Sequence, residues 1–236
     1  MIRPMRSISI CGWQEAFPHT RGVAVVFDIF RCSTTIQCLY NRKPERLWVA
    51  PSLKDLRAKD PDMVQSFAVF SELSQPIECA QRFDNSPEHV LGLTSIPADA
   101  LVATTTGTPA MFAARNFEEV LVGSLVGFSA LVARLANDSR DITLIPAAFT
   151  TSNHVEDGIV AQAIATALEG YYTHKVFVDG CAEQARTQII NSGRPQFLSE
   201  KLATGTVDTR VSLDVDRFST VPKISFGANT LLAQVL

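Results

Sequence analysis

The chain has 236 residues, of which 46% are apolar and only 19% charged, and its 24 acids against 21 bases leave a net charge of -3. That balance excludes a disordered chain, and without a basic excess it argues against a general nucleic-acid binder, which must neutralise phosphates. No apolar run reaches the roughly 20 residues needed to cross a bilayer.

The N-terminal stretch from Met1 to Gly12 carries Arg3 and Arg6 but no long apolar segment and no cleavage signature, so a cytoplasmic globular protein is expected. Short apolar runs at Val23–Ile29, Arg46–Ala50, Ala100–Thr104, Val120–Gly123 and Ile142–Ala147 predict strands buried on both faces. Helical spacing between and after them predicts helices at Ser33–Asn41, Leu53–Lys59, Thr108–Asn116, Phe128–Asn137 and Val155–Gly170. Ser33 and Ser52 are the expected N-caps, and Gly170 the expected helix stop. A polar helix over Asp179–Asn191 comes next. The alternation predicts an α/β fold with a mainly parallel sheet and helices on both sides. The chain reads as one domain over residues 1–236, or as two tightly packed halves divided near Pro97.

Cys11, Cys32, Cys38, Cys79 and Cys181 are odd in number and include no Cys-x-x-Cys pair, so reduced thiols are expected rather than disulfides or structural zinc. In open α/β sheets ligands collect at the carboxyl ends of strands, which directs attention to the residues just beyond each predicted strand. After Phe27 comes Asp28-Ile29-Phe30-Arg31-Cys32-Ser33-Thr34-Thr35. An acid there can hold a divalent cation or attack phosphorus, and Arg31 offers a planar fork for oxyanions. Ser33, Thr34 and Thr35 fall in the first helical turn, where free N–H groups favour an anion. An Asp–Arg ion pair and a plain Ser cap would fit the same residues. Two familiar phosphatase patterns are excluded: Phe30 stands where a second Asp would be needed, and Cys38 where a Cys-x5-Arg loop needs Arg.

After Ala103, Thr104-Thr105-Thr106-Gly107-Thr108-Pro109 could cradle an oxyanion or be an ordinary Gly turn leading into a helix. It is neither a P-loop nor a dinucleotide loop. Asp84-Asn85-Ser86-Pro87-Glu88 reads as a turn with Pro at a helix start. After Ala147, a polar run ends in His154-Val155-Glu156-Asp157. Adjacent acids diverge around a helix, so at most one of Glu156 and Asp157 ligates a metal directly while the other supports it; both also suit a helix N-terminus.

Taken in order, these clusters resemble the 2-phosphosulfolactate phosphatase family. The resemblance runs through Ala24-Val25-Val26-Phe27-Asp28-Ile29-Phe30-Arg31-Cys32-Ser33-Thr34-Thr35-Ile36, Phe83-Asp84-Asn85-Ser86-Pro87, Thr104-Thr105-Thr106-Gly107-Thr108, Val122-Gly123-Ser124 and Glu156-Asp157. Weaker echoes lie at Asp208, Asp216 and Val221-Pro222. It implies a three-layer α/β/α fold and Mg²⁺-dependent hydrolysis of phosphate esters of small 2-hydroxy acids in coenzyme M biosynthesis. By position, Asp28 would be a metal ligand or nucleophile and Arg31 a phosphate clamp. Ser33, Thr34, Asn85, Thr105, Gly107 and Thr108 would shape the substrate's anion site, and Asp28, Glu156 and Asp157 would serve the metal. Oxygen ligands of this kind suit Mg²⁺, or Mn²⁺, better than zinc. The expected partner is a small anionic phosphate ester, with no nucleic acid or membrane, and a homo-oligomer is compatible. Thr106 departs from the family's usual Asn, and Ala148-Phe149 from its Ala-Gly pair. Those departures motivate an alternative: a member of the same fold that binds an anionic metabolite without turnover.

Overall fold

A computed structural model describes residues 6–15, 17, 20–72, 79, 81–148, 154–170 and 175–236. Phe149 lies outside the described residues. Among them, ten strands form one mixed sheet. In chain order these are β1 (Ile8–Ile10), β2 (Val23–Phe27), β3 (Arg46–Val49), β4 (Ala68–Phe70), β5 (Gln81–Phe83), β6 (Asp99–Val102), β7 (Glu119–Gly123), β8 (Ile142–Pro146), β9 (Lys223–Phe226) and β10 (Ala233–Val235). The spatial order is β1-β8-β2-β7-β9-β10-β3-β6-β4-β5, so the sheet takes strands from both sides of residue 97.

The helices are α1 (Cys32–Arg42), α2 (Leu53–Lys59), α3 (Pro61–Ser66), α4 (Pro87–Gly92), α5 (Gly107–Ala113), α6 (Phe128–Ala136), α7 (Glu156–Gly170), α8 (Lys175–Asn191), α9 (Arg194–Lys201) and α10 (Gly205–Ser212). Local chemistry sets several of their starts. Ser52 Oγ accepts from the Asp55 N–H, Asp60 Oδ1 from Met63 and Ser86 Oγ from His89, with Pro61 and Pro87 at the first helical positions. Ser52 is thus the cap its sequence suggested. Ser33 is not: α1 begins one residue earlier, and the Ser33 hydroxyl instead accepts from the Asp28 N–H at 2.9 Å.

The strand β2 explains the layering. All five of its residues are buried, as a run without polar positions requires when both faces are covered. Val23, Val25 and Phe27 face a core built with α6, α7 and α8, whereas Ala24 and Val26 face a second core with α1 and α5. That second core also takes Leu47, Val49, Phe70, Ala100 and Val102, so α1, α4 and α5 lie against both parts of the sheet. The outer face of β3, β4 and β6 is covered by Leu53 and Leu56 of α2 and Val64 of α3. This is a three-layer α/β arrangement.

Two parallel groups, β1-β8-β2-β7 and β3-β6-β4-β5, meet through β9 and β10, each of which pairs antiparallel with both its neighbours. Three reversals in the ladder would place the carboxyl ends of the two groups at opposite edges of a flat sheet. The loops after β2 and β6 nevertheless touch, Gly107 lying against Asp28 and Cys32. No described helix is long and apolar enough to cross a membrane.

Candidate active site

The loops after β2, β4, β5, β6 and β8 converge with α9 on a cavity of about 260 Å³. Its centre is Asp28, at the end of β2 and only 6% exposed. β2 stops at Phe27 because the chain is drawn away: the Ile29 N–H donates 2.8 Å to Asp157 Oδ1 instead of to a neighbouring strand. The Cys32 N–H reaches Asp28 Oδ1 at 3.4 Å, and the Gly107 N–H also donates to this carboxylate. Burial, reinforced by the nearby Glu72 and Glu156 carboxylates, nevertheless raises the Asp28 pKa from 3.8 to about 7, the two N–H donors only partly opposing this.

Gly107 has a packing reason to lack a side chain. A Cβ there would lie 2.6 Å from Asp28 Oδ2 and 2.7 Å from Cys32 Cβ. The start of α5 can therefore press against the loop after β2 only with glycine at this position.

Arg31 lies 3% exposed between two carboxylates. Its Nη1 donates to Asp84 at 2.5 Å and to Asp208 at 2.8 Å, and Nη2 reaches the other Asp84 oxygen at 3.3 Å. Asp208 is itself held by the Ser86 hydroxyl at 2.5 Å and the Thr204 hydroxyl at 2.6 Å. Such a network fixes the guanidinium plane before any ligand arrives.

Glu156 and Asp157 open α7 and are both buried, and they do different work. Asp157 accepts from Ile29 at 2.8 Å and from Ala148 at 3.2 Å, one on each oxygen, and so ties the ends of β2 and β8 together. Burial and the adjacent Asp28 carboxylate push its pKa well above the ordinary value. Glu156 Oε1 accepts from Arg194 Nε at 3.0 Å, whereas its Oε2 is buried with no hydrogen-bond partner among the described residues. That orphaned oxygen is the mark of a carboxylate built to meet something more than protein.

The remaining sequence-predicted residues divide between the cavity and its support. Thr105 lines the cavity, its hydroxyl donating 3.1 Å to Glu72 Oε2, and Thr106 lies beside it. Ser33 and Thr34 are fully buried and do not line it; the Thr34 hydroxyl donates 3.0 Å to the Ile29 carbonyl. Thr108 and Thr104 exchange hydroxyl and backbone hydrogen bonds at 2.9 and 3.1 Å, closing the turn before α5. Asn85, also fully buried, donates 2.9 Å to Glu72 Oε1, and its Oδ1 has no partner among the described residues. Sequence reasoning missed Glu72, Asp84, His154 and Arg194 as cavity residues. It also gave Asp208 no role beyond a weak echo of the family pattern.

Charge decides what the cavity can accept. Five carboxylates (Asp28, Glu72, Asp84, Glu156 and Asp157) line it against two guanidiniums, Arg31 and Arg194. That excess repels an anionic ligand, although burial, by raising the Asp28 and Asp157 pKa values, reduces the charge in part. Among the described residues no three acidic, His or Cys side chains form a ready-made metal cage. Mg²⁺, however, commonly takes one or two carboxylates and completes its shell with water and substrate oxygens. Asp28, and the Glu156 oxygen without a partner among the described residues, are the two carboxylates that could meet that demand. A larger groove, about 830 Å³, lies elsewhere among α4, α8 and α10, but its Arg186 and Arg217 are paired with Glu183 and Asp214.

The sequence pattern of a family described as 2-phosphosulpholactate phosphatase matches residues 13–225. A probable 2-phosphosulfolactate phosphatase of Thermoplasma volcanium is 22% identical over 214 residues, spanning 87% of this chain and 91% of that relative.

Proposed function

The chain belongs to the 2-phosphosulpholactate phosphatase family, a family of phosphoric monoester hydrolases, and we propose that it hydrolyses the phosphate ester of a small acidic 2-hydroxy acid with the help of Mg²⁺. The observation that carries the metal dependence is the carboxylate excess around Asp28, which repels an anionic ester. Asp28 and Glu156 would hold the cation, which supplies charge neutralisation on the phosphoryl oxygens. Arg31, fixed by Asp84 and Asp208, presents a rigid positive charge to the same group. Thr105 orients Glu72 at the cavity wall, and Asp157 keeps the β2 and β8 ends in place. Water's oxygen ends in inorganic phosphate, the ester P–O bond breaks, and the departing alkoxide takes up a proton as the free hydroxy acid.

The test is phosphate release from phosphosulfolactate and from phospholactate, with Mg²⁺ and with excess chelator. Release that requires the metal is expected, and equal release under chelation overturns the metal's role. A second reading, binding of an anionic metabolite without turnover, is favoured by Thr106, which lines the cavity where the family pattern has Asn. Metal-dependent release from either ester would exclude it.

A further inference from the structure

Two guanidiniums line the cavity, and they are unequally used. Arg31 meets two carboxylates and the Thr204 hydroxyl through its two terminal nitrogens. Arg194, the first residue of α9, is 5% exposed and has one carboxylate partner. The chain reaches it through Gly193, whose φ of 77° is a left-handed turn that glycine takes without strain, and this brings the side chain inward. Its Nε donates to Glu156 Oε1, and its Nη2 lies 2.8 Å from His154 Nδ1. An arginine nitrogen only donates, so His154 Nδ1 accepts and the ring proton sits on Nε2. The remaining nitrogen, Nη1, is buried and meets no acceptor among the described residues. An arginine that served only to hold Glu156 could turn its fork onto both carboxylate oxygens, yet Glu156 Oε2 has no partner among the described residues either. Leu198 and Leu202 line the same cavity, and such apolar walls strengthen any charge interaction formed there.

We propose that Arg194 determines specificity, its Nη1 receiving the acid group that the substrate carries beside its ester, while the phosphoryl group lies at the Asp28–Arg31 end. The assignment rests on the phosphatase reading for its substrate class. It separates two duties: Arg31 and the metal-facing carboxylates treat every phosphate ester alike, and Arg194 selects those with a second oxyanion.

Calorimetric titration of the full chain in Mg²⁺ tests this with two probes, sulfolactate and inorganic phosphate. Arg194→Gln is expected to weaken sulfolactate about 10- to 100-fold, the span of a charge-assisted hydrogen bond, and phosphate far less, through the unpaired Glu156 alone. Arg194→Lys keeps a cation beside Glu156 and decides the matter if the Gln variant fails to fold: a selective loss of sulfolactate supports the assignment. Equal weakening of both probes, no weakening of sulfolactate, or a wild-type protein that does not bind sulfolactate overturns it. Phosphate release by the wild type is scored separately. Its failure alongside intact, Arg194-dependent sulfolactate binding would remove turnover and keep this assignment.

Discussion

Arg31 Nη1 lies 2.8 Å from Asp208 Oδ2 although 177 positions separate the two residues, and both are almost wholly buried. The contact pins the loop after β2 to α10, so the anion-facing arginine is held from the far end of the chain. Asp208→Ala leaves Arg31 with Asp84 as its one carboxylate and removes the acceptor of the Ser86 hydroxyl. The expected loss of stability is near the lower end of the roughly 3–5 kcal/mol for breaking a buried pair, because one carboxylate remains. Denaturant unfolding measures it, and a loss under about 0.5 kcal/mol would contradict the network.

Asp28 predicts a pH dependence whose sign is fixed. Its folded pKa, about 7, stands above the ordinary 3.8, so the folded state binds the proton more tightly than the unfolded chain. The stability this confers is complete below about pH 4 and is lost as pH rises through about 7. Asp157 is shifted in the same direction. Metal-free protein should therefore melt at lower temperature at pH 8 than at pH 5, and Asp28→Asn should flatten that slope. Mg²⁺ should stabilise the wild type more at pH 8 than at pH 5, since protons compete for the same oxygens. The same variant should abolish turnover.

Glu72 is the largest charge contribution that raises Asp28, after burial itself. Glu72→Gln removes the charge, keeps an oxygen to accept from Asn85 and offers an amide N–H to the Thr105 hydroxyl. The acid limb of the activity profile should move to lower pH. Because Glu72 is exposed, the displacement should shrink as salt is added. An unmoved limb would show that Asp28 is not the group titrating there.

Gly107→Ala forces a methyl group into Asp28 and Cys32. Repacking is expected to cost about 1–3 kcal/mol, but the larger effect is on chemistry. Displacing a reacting group by about 1 Å can cost on the order of 100-fold in rate. A variant that melts lower yet turns over normally would mean that Asp28 tolerates the shift.

Sequence reading reached those parts of the site that neighbours in the chain define. The unbroken apolar run before Asp28 announced a doubly covered strand, and Thr-Gly-Thr-Pro announced the turn before α5. Ser33 misled because its hydroxyl is turned back to the Asp28 N–H, a five-residue contact that helix-cap patterns do not encode. Strands of three or four residues such as β1, β4, β5, β9 and β10 are too short for alternation to show. Arg194, Asp208 and Glu72 sit in unrelated local contexts, and only tertiary packing gives them a common purpose. A guanidinium with one nitrogen unmatched is visible only once its neighbours are in place.

The hairpin of β9 and β10 sits in the middle of the sheet while coming last in the chain. Until residues 223–235 are available, β7 and β3 are open edges of two unjoined half-sheets, each offering a row of bare amides and carbonyls. Synthesis from the N-terminus therefore completes both halves before it supplies the piece that joins them. A nascent chain is expected to be most vulnerable to edge-to-edge association in that interval, before the hairpin joins the two halves whose loops line the cavity.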